Sequence, residues 1–163
     1  PNAAKAGFAE ELFIPEKNVF LVSQMTTANL YEYSYPGFEY KRTIPTTGKW
    51  SKFIAFSSQK QLLAVSNWVS NDLSIIDYKS GQCIKKIDTG AAPRGLYFIE
   101  DGKEIISLSF DAGLIEKFDV ASGKRINYIK ELGQLELTDE EDFEDDLILY
   151  IFFEKRIEIF YMY

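Results

Sequence analysis

Residues 53–90 read FIAFSSQKQLLAVSNWVSNDLSIIDYKSGQCIKKIDTG, and residues 95–129 read GLYFIEDGKEIISLSFDAGLIEKFDVASGKRINYI. Phe56 meets Phe98, Asp77 meets Asp119, Gly81 meets Gly123 and Ile87 meets Ile129, each pair 42 residues apart. Self-similarity at a fixed period of about 20–50 residues marks a repeat architecture. Ser66 and Ser109 are 43 apart, which places one extra residue in the Asp101-Gly102 turn. A looser copy comes first: residues 12–23, LFIPEKNVFLVS, are followed by LYEYSYPG. There Phe13 lies 43 before Phe56, Ser23 lies 43 before Ser66, and Gly37 lies 44 before Gly81. The repeats divide as 7–47, 48–89 and 90–133.

Each copy holds four short apolar runs. In the middle one they are Lys52–Phe56, Gln61–Ser66, Leu73–Tyr78 and Gln82–Asp88. Runs of this length are too short for helices. The Ser80-Gly81 and Asp101-Gly102 dipeptides supply the left-handed backbone of tight hairpins, and Pro36-Gly37 marks the corresponding corner of the first copy. LLAV and LSII are apolar without alternation, as strands covered on both faces require. One four-stranded antiparallel sheet per copy, stacked between like neighbours, predicts an all-β fold of β-propeller blades about 42 residues long, here a part of a ring.

The phrases IDTGAAPRGLYFIEDGKEI, VSNWVSNDLSIIDYKSG and IEKFDVASGK resemble the YVTN-type β-propeller repeats of bacteria, through Gly90, Pro93, Asp101, Gly102, Asn67, Ile76 and Asp77. The likeness covers about residues 8–133. It implies a ring of seven or a similar number of blades, often outside the cytoplasm. It also implies a binding or scaffold role, in some cases beside redox enzymes, with no catalytic residues. The chain departs from that pattern in holding about three copies and in lacking the Pro-Arg and Asp-Gly pieces after Gly133.

Composition narrows the chemistry. Apolar residues make up 46% of the 163, with 13 Phe and 10 Tyr, enough for a packed β core. The net charge of −7 is local, since residues 139–146 read DEEDFEDD and the remainder balances. With no Lys/Arg-rich run, the footprint of a nucleic-acid binder is missing. There is no His, so the usual general base and the commonest zinc ligand are absent. Cys83 is single and reads as a half-buried core residue. The acidic run lacks EF-hand spacing and reads as a solvated linker. No metal and no cofactor are expected. No apolar run has membrane-helix length and no signal-peptide pattern is visible; a chain that begins at Pro1 reads as processed or cut from a longer one. Residues 134–163 read either as a degenerate blade, with Leu147–Phe153 and Arg156–Tyr161 as a hairpin, or as a foreign end.

In a blade that runs from inside outward, the link between blades shares a face with the loop between the second and third strands. That places Gln24, Met25, Trp50, Lys52, Trp68, Arg94 and Phe110 together near the channel mouth. Aromatics and Arg dominate binding hot spots, so these residues are the candidate binding set. The competing reading is that they pack between blades. Asp77, Asp119 and Ser34 read as turn caps. The function expected is a non-enzymatic, extracytoplasmic binding module that self-associates through its open blades. The rivals are a fragment of a propeller enzyme, a metal-dependent lactonase or dehydrogenase subunit, and a surface interaction protein.

Overall fold

The computed structural model describes residues 7–130. The acidic run and the readings of residues 134–163 lie outside the described residues. Strands β1 (Phe8–Ile14), β2 (Val19–Gln24), β3 (Asn29–Ser34) and β4 (Tyr40–Pro45) form the first sheet. Strands β5 (Ser51–Ser57), β6 (Leu62–Asn67), β7 (Asp72–Asp77) and β8 (Gln82–Asp88) form the second. Strands β9 (Pro93–Ile99), β10 (Glu104–Ser109), β11 (Leu114–Asp119) and β12 (Arg125–Lys130) form the third. Every neighbouring pair is antiparallel and the order in each sheet is sequential. The all-β expectation and the one-sheet-per-copy expectation both hold.

Stacking explains the unbroken apolar runs of the middle copy. Leu63, Val65 and Ile76 face the first sheet and join Ile14, Leu21, Leu30 and Ile44 in one core. Their chain neighbours Ala64, Leu73 and Ile75 face the third sheet and join Leu96, Ile105 and Phe118 in another. Alternation along a strand thus serves two cores rather than a core and solvent. Burying each Leu or Ile fully contributes about 1.5–3 kcal/mol. The first strands β1, β5 and β9 pack closely on one another, whereas the outer strands β4 and β8 meet far less, so the sheets fan outward from their first strands.

The outer strands are tied by one device used twice. Arg42 on β4 donates to the carbonyls of Tyr78 (2.7 Å) and Lys79 (3.1 Å) in the next sheet's last turn. Lys85, in the same register on β8, donates to the carbonyl of Ala121. The turn caps are as expected: Asp77 Oδ1 accepts from Ser80 N (2.7 Å) and Ser80 Oγ (2.6 Å), and Asp119 does the same with Ser122 (both 2.6 Å). Ser34 Oγ accepts from Glu39 N at 3.0 Å.

Two alignments need correction. The β9–β10 connection spans residues 100–103 and is no longer than the β5–β6 connection, 58–61, so it holds no extra residue. Leu108 therefore occupies the place of Ser66, and Ser109 that of Asn67. In the first sheet the last turn is as long as in the others, Tyr33 pairing with Tyr40 as Ile76 does with Cys83, and the whole turn lies 43 residues before its counterpart in the second. Phe38, not Gly37, takes the slot of Gly81 and Gly123: all three have left-handed φ (53°, 71° and 76°) and donate N–H to the carbonyl at the end of the third strand.

Candidate binding face

The site starts from a backbone irregularity. Each first strand gains one residue on its partner near its start: between Phe8 and Glu11, between Ser51 and Ile54, and between Pro93 and Leu96. Such β-bulges re-aim side chains at sheet edges. Serine hydroxyls hold two of them. Ser23 Oγ accepts from Glu10 N (3.1 Å) and donates to Glu10 O (3.3 Å). Ser66 Oγ accepts from Phe53 N and donates across the junction to Arg94 O, both at 3.0 Å. Lys52 and Arg94 are the same bulge position in consecutive sheets, 42 residues apart.

Above these bulges Trp68 and Phe110, again 42 apart, are the first residues after the second strands. Their rings lie 5.7 Å apart at 33°, bridging the second and third sheets. Lys52 Nζ sits 3.6 Å from the Trp68 ring centre, a cation–π contact. Desolvation lowers the Lys52 pKa, the Arg94 charge lowers it further and Glu10 opposes both. Desolvation likewise raises the Glu10 pKa, with Arg94 and Lys52 pulling it down and Glu11 adding to the rise. Trp50 is exposed, with left-handed φ of 56°, and its carbonyl accepts Trp68 N at 3.0 Å.

The structure thus brings Lys52, Trp68, Arg94 and Phe110 together and leaves Trp50 beside them. Gln24 is different. It is buried, and its Oε1 accepts from Thr27 Oγ1 (2.5 Å) and Tyr31 OH (3.0 Å), so it serves its own sheet and not the exposed face. Met25 is half-buried in the β2–β3 turn, where its carbonyl accepts Ala28 N at 3.3 Å. Glu10 is the member that sequence reasoning missed. Its nearest signal is Ala9, which stands 43 residues before Lys52 and marks the same bulge.

A second concavity, a cleft of about 470 Å³, opens between β8 and β12 and is lined by Lys85, Lys86 and Arg125 among others. Its cations are engaged: Lys86 with Asp72 (2.5 Å), Arg125 with Glu116 (2.8 Å), and Lys85 with Ala121 O. Among the described residues no three His, Cys, Asp or Glu side chains group as metal ligands, and no helix is long and apolar enough to cross a membrane.

These features define an all-β repeat protein of stacked four-stranded meanders with a basic–aromatic rim. The chain is 41% identical over 108 residues to Antigen Lp49 of Leptospira interrogans serogroup Icterohaemorrhagiae serovar copenhageni. The match takes in 66% of this chain and 24% of the antigen, so the chain spans about a quarter of that relative's length. Among solved structures, Kuenenia stuttgartiensis hydrazine synthase superposes with a TM-score of 0.70 over 77% of this chain and 36% of that one. At 18% identity that likeness concerns the fold alone. No family model matches the chain.

Proposed function

We propose that this chain is a non-enzymatic binding module built from YVTN-type propeller blades, with repeats at 7–47, 48–89 and 90–133, that works outside the cytoplasm. The observation that carries the reading is the rim itself: Lys52 on Trp68, Trp68 on Phe110, and Arg94 beside Lys52, across two sheets. A half-buried Lys52 and an exposed Arg94 next to the half-buried Trp68 and exposed Phe110 rings suit an acidic protein segment with apolar side chains. Kinship with an antigen supports an exposed location and a protein partner. Binding of this kind needs no cofactor, metal or catalytic residue. The chain also self-associates through its uncovered sheets.

The test uses the two tryptophans. In a Trp50→Phe variant, Trp68 is the single emitter. Titration with a short Glu/Phe peptide should shift its emission saturably, less so as salt rises. Lys52→Met and Arg94→Ala should each remove the response while the circular dichroism spectrum is kept. A flat titration to millimolar peptide would dismiss the rim as a binding site.

A further inference from the structure

The second and third sheets each cover one face with the sheet before them. On the second sheet that face carries Phe56 and Tyr78, whose rings meet edge to face at 5.4 Å, together with Leu63 and Ile76. Forty-three residues earlier the first sheet carries Phe13, Tyr35, Phe20 and Tyr33 at the same register. Phe13 and Tyr35 already form the same edge-to-face pair, at 4.7 Å. Yet among the described residues no sheet covers them, and they are 41% and 46% exposed.

Phe38 extends this wall. It occupies the left-handed slot that Gly81 and Gly123 fill in the other copies, a conformation that a bulky side chain adopts at a cost. It stands 59% exposed and sets its ring edge to face against both Phe20 and Tyr35, each at 6.0 Å. An observed outlier of this kind is a pointer to function.

The other end of the stack is the matching half. The third sheet's far face bears Tyr97, Ile106, Ile115 and Ile129, in register with Ala55, Ala64, Leu73 and Ile87, which the second sheet buries against the third. One chain therefore displays both halves of the interface that it forms twice internally.

We infer that the Phe13–Tyr35–Phe38 face binds the Tyr97–Ile129 face of a second copy, so that two copies close a ring of six sheets. This deepens the self-association part of the reading above and is independent of the rim. The contact joins unlike patches, and such contacts are finite only when they close. Six sheets fall within the about four to eight of known propellers.

Light scattering after size-exclusion chromatography at tens of micromolar decides it. A dimer is expected. Phe13→Glu and Ile129→Glu, both at exposed positions, should each weaken it by roughly 30-fold or more, the level of a hot spot. An equimolar mixture of the two variants should recover dimer, because one intact contact can form between them. A monomeric parent chain overturns the inference. A dimer that ignores Ile129→Glu overturns this pairing of faces while leaving self-association in place. Unchanged circular dichroism and melting of each variant keep the comparison free of misfolding.

Discussion

Between the first and second sheets, β7 offers Ser74; between the second and third, β11 offers Glu116 at the same register, 42 residues on. Around Ser74 the third-strand group is neutral, and Lys86 Nζ donates to its Oγ (3.0 Å) while pairing with Asp72 (2.5 Å). Asn67 Nδ2 donates to Ser74 Oγ (2.8 Å) and Asp72 Oδ1 (2.6 Å), and its Oδ1 accepts from Ser51 Oγ (2.7 Å). Ser74 Oγ in turn donates to Thr46 O. Around Glu116 the slot is filled by a charge. The carboxylate accepts from Gly90 N (2.8 Å), Ser109 Oγ (2.7 Å) and Arg125 Nη1 (2.8 Å). The same three suppliers serve both junctions: the link between sheets, the end of the second strand, and the fourth strand. What the repeat fixes is a polar slot at the rim end of each junction; what it leaves open is whether a neutral or an ionised group fills it.

The largest test of that comparison sits below the slots, in the apolar layers. Phe118→Ala should cost about 3–5 kcal/mol and Ile76→Ala about 2–5 kcal/mol, since both side chains are fully buried between sheets. Urea denaturation measures both; a loss under about 1 kcal/mol at Phe118 would mean that the third sheet is not packed as described.

The slots themselves come next. Arg125→Met strips a partner from a carboxylate that is only 1% exposed, but Arg125 is itself nearly half exposed, so the loss should be about 1–3 kcal/mol. Asn67→Ala removes the hub of the Ser74 network and should also cost about 1–3 kcal/mol. The difference should appear on rescue: Arg125→Lys, which keeps a cation beside Glu116, should cost less than Arg125→Met in urea denaturation. Equal losses for the two would dissolve the distinction.

A smaller effect comes from the exposed turns. Hydrogen bonds from Ser80 and Ser122, hydroxyl first and amide second, hold the Asp77 and Asp119 carboxyls below the usual range. Depressed folded-state values mean that this stabilisation is complete above the ordinary aspartate value of about 3.9 and is lost as pH falls through the lower folded values. Asp77→Asn with Asp119→Asn should therefore flatten the acid limb of a melting-temperature profile; an unaltered limb would deny the caps any role.

The least effect is expected at Ser107, the one buried side-chain hydroxyl among the described residues without a hydrogen-bond partner. It faces the second sheet where Val65 faces the first. Ser107→Ala should be within about 0.5 kcal/mol of neutral, or slightly stabilising, because no bond is lost.

The middle sheet was the most legible part of the sequence, because a strand buried on both faces writes an unbroken apolar run and its last turn writes Ser80-Gly81. The rim was legible in outline, since the direction of a meander alone puts Lys52, Trp68, Arg94 and Phe110 at one edge. Gln24 was misplaced because its inward turn depends on Tyr31 and Thr27, a contact that spacing does not encode. Glu10 was missed because the repeat spacing sets Ala9, not Glu10, at the place of Lys52 and Arg94. Phe38 escaped because the first copy runs 43 residues before the second, so that Gly37, 44 before Gly81, falls one place short of the slot.

The turn joining the second and third strands has a further consequence. Its left-handed position is Ala28 in the first sheet, Asn71 in the second and Gly113 in the third, with φ of 51°, 56° and 59°. An L-residue with a Cβ pays roughly 1–2 kcal/mol there, Asn less, and Gly almost nothing. Three copies of one hairpin thus meet one backbone demand with three different residues, at three different costs, without changing the hairpin. Ala28→Gly would lower the cost in the first copy to that of the third.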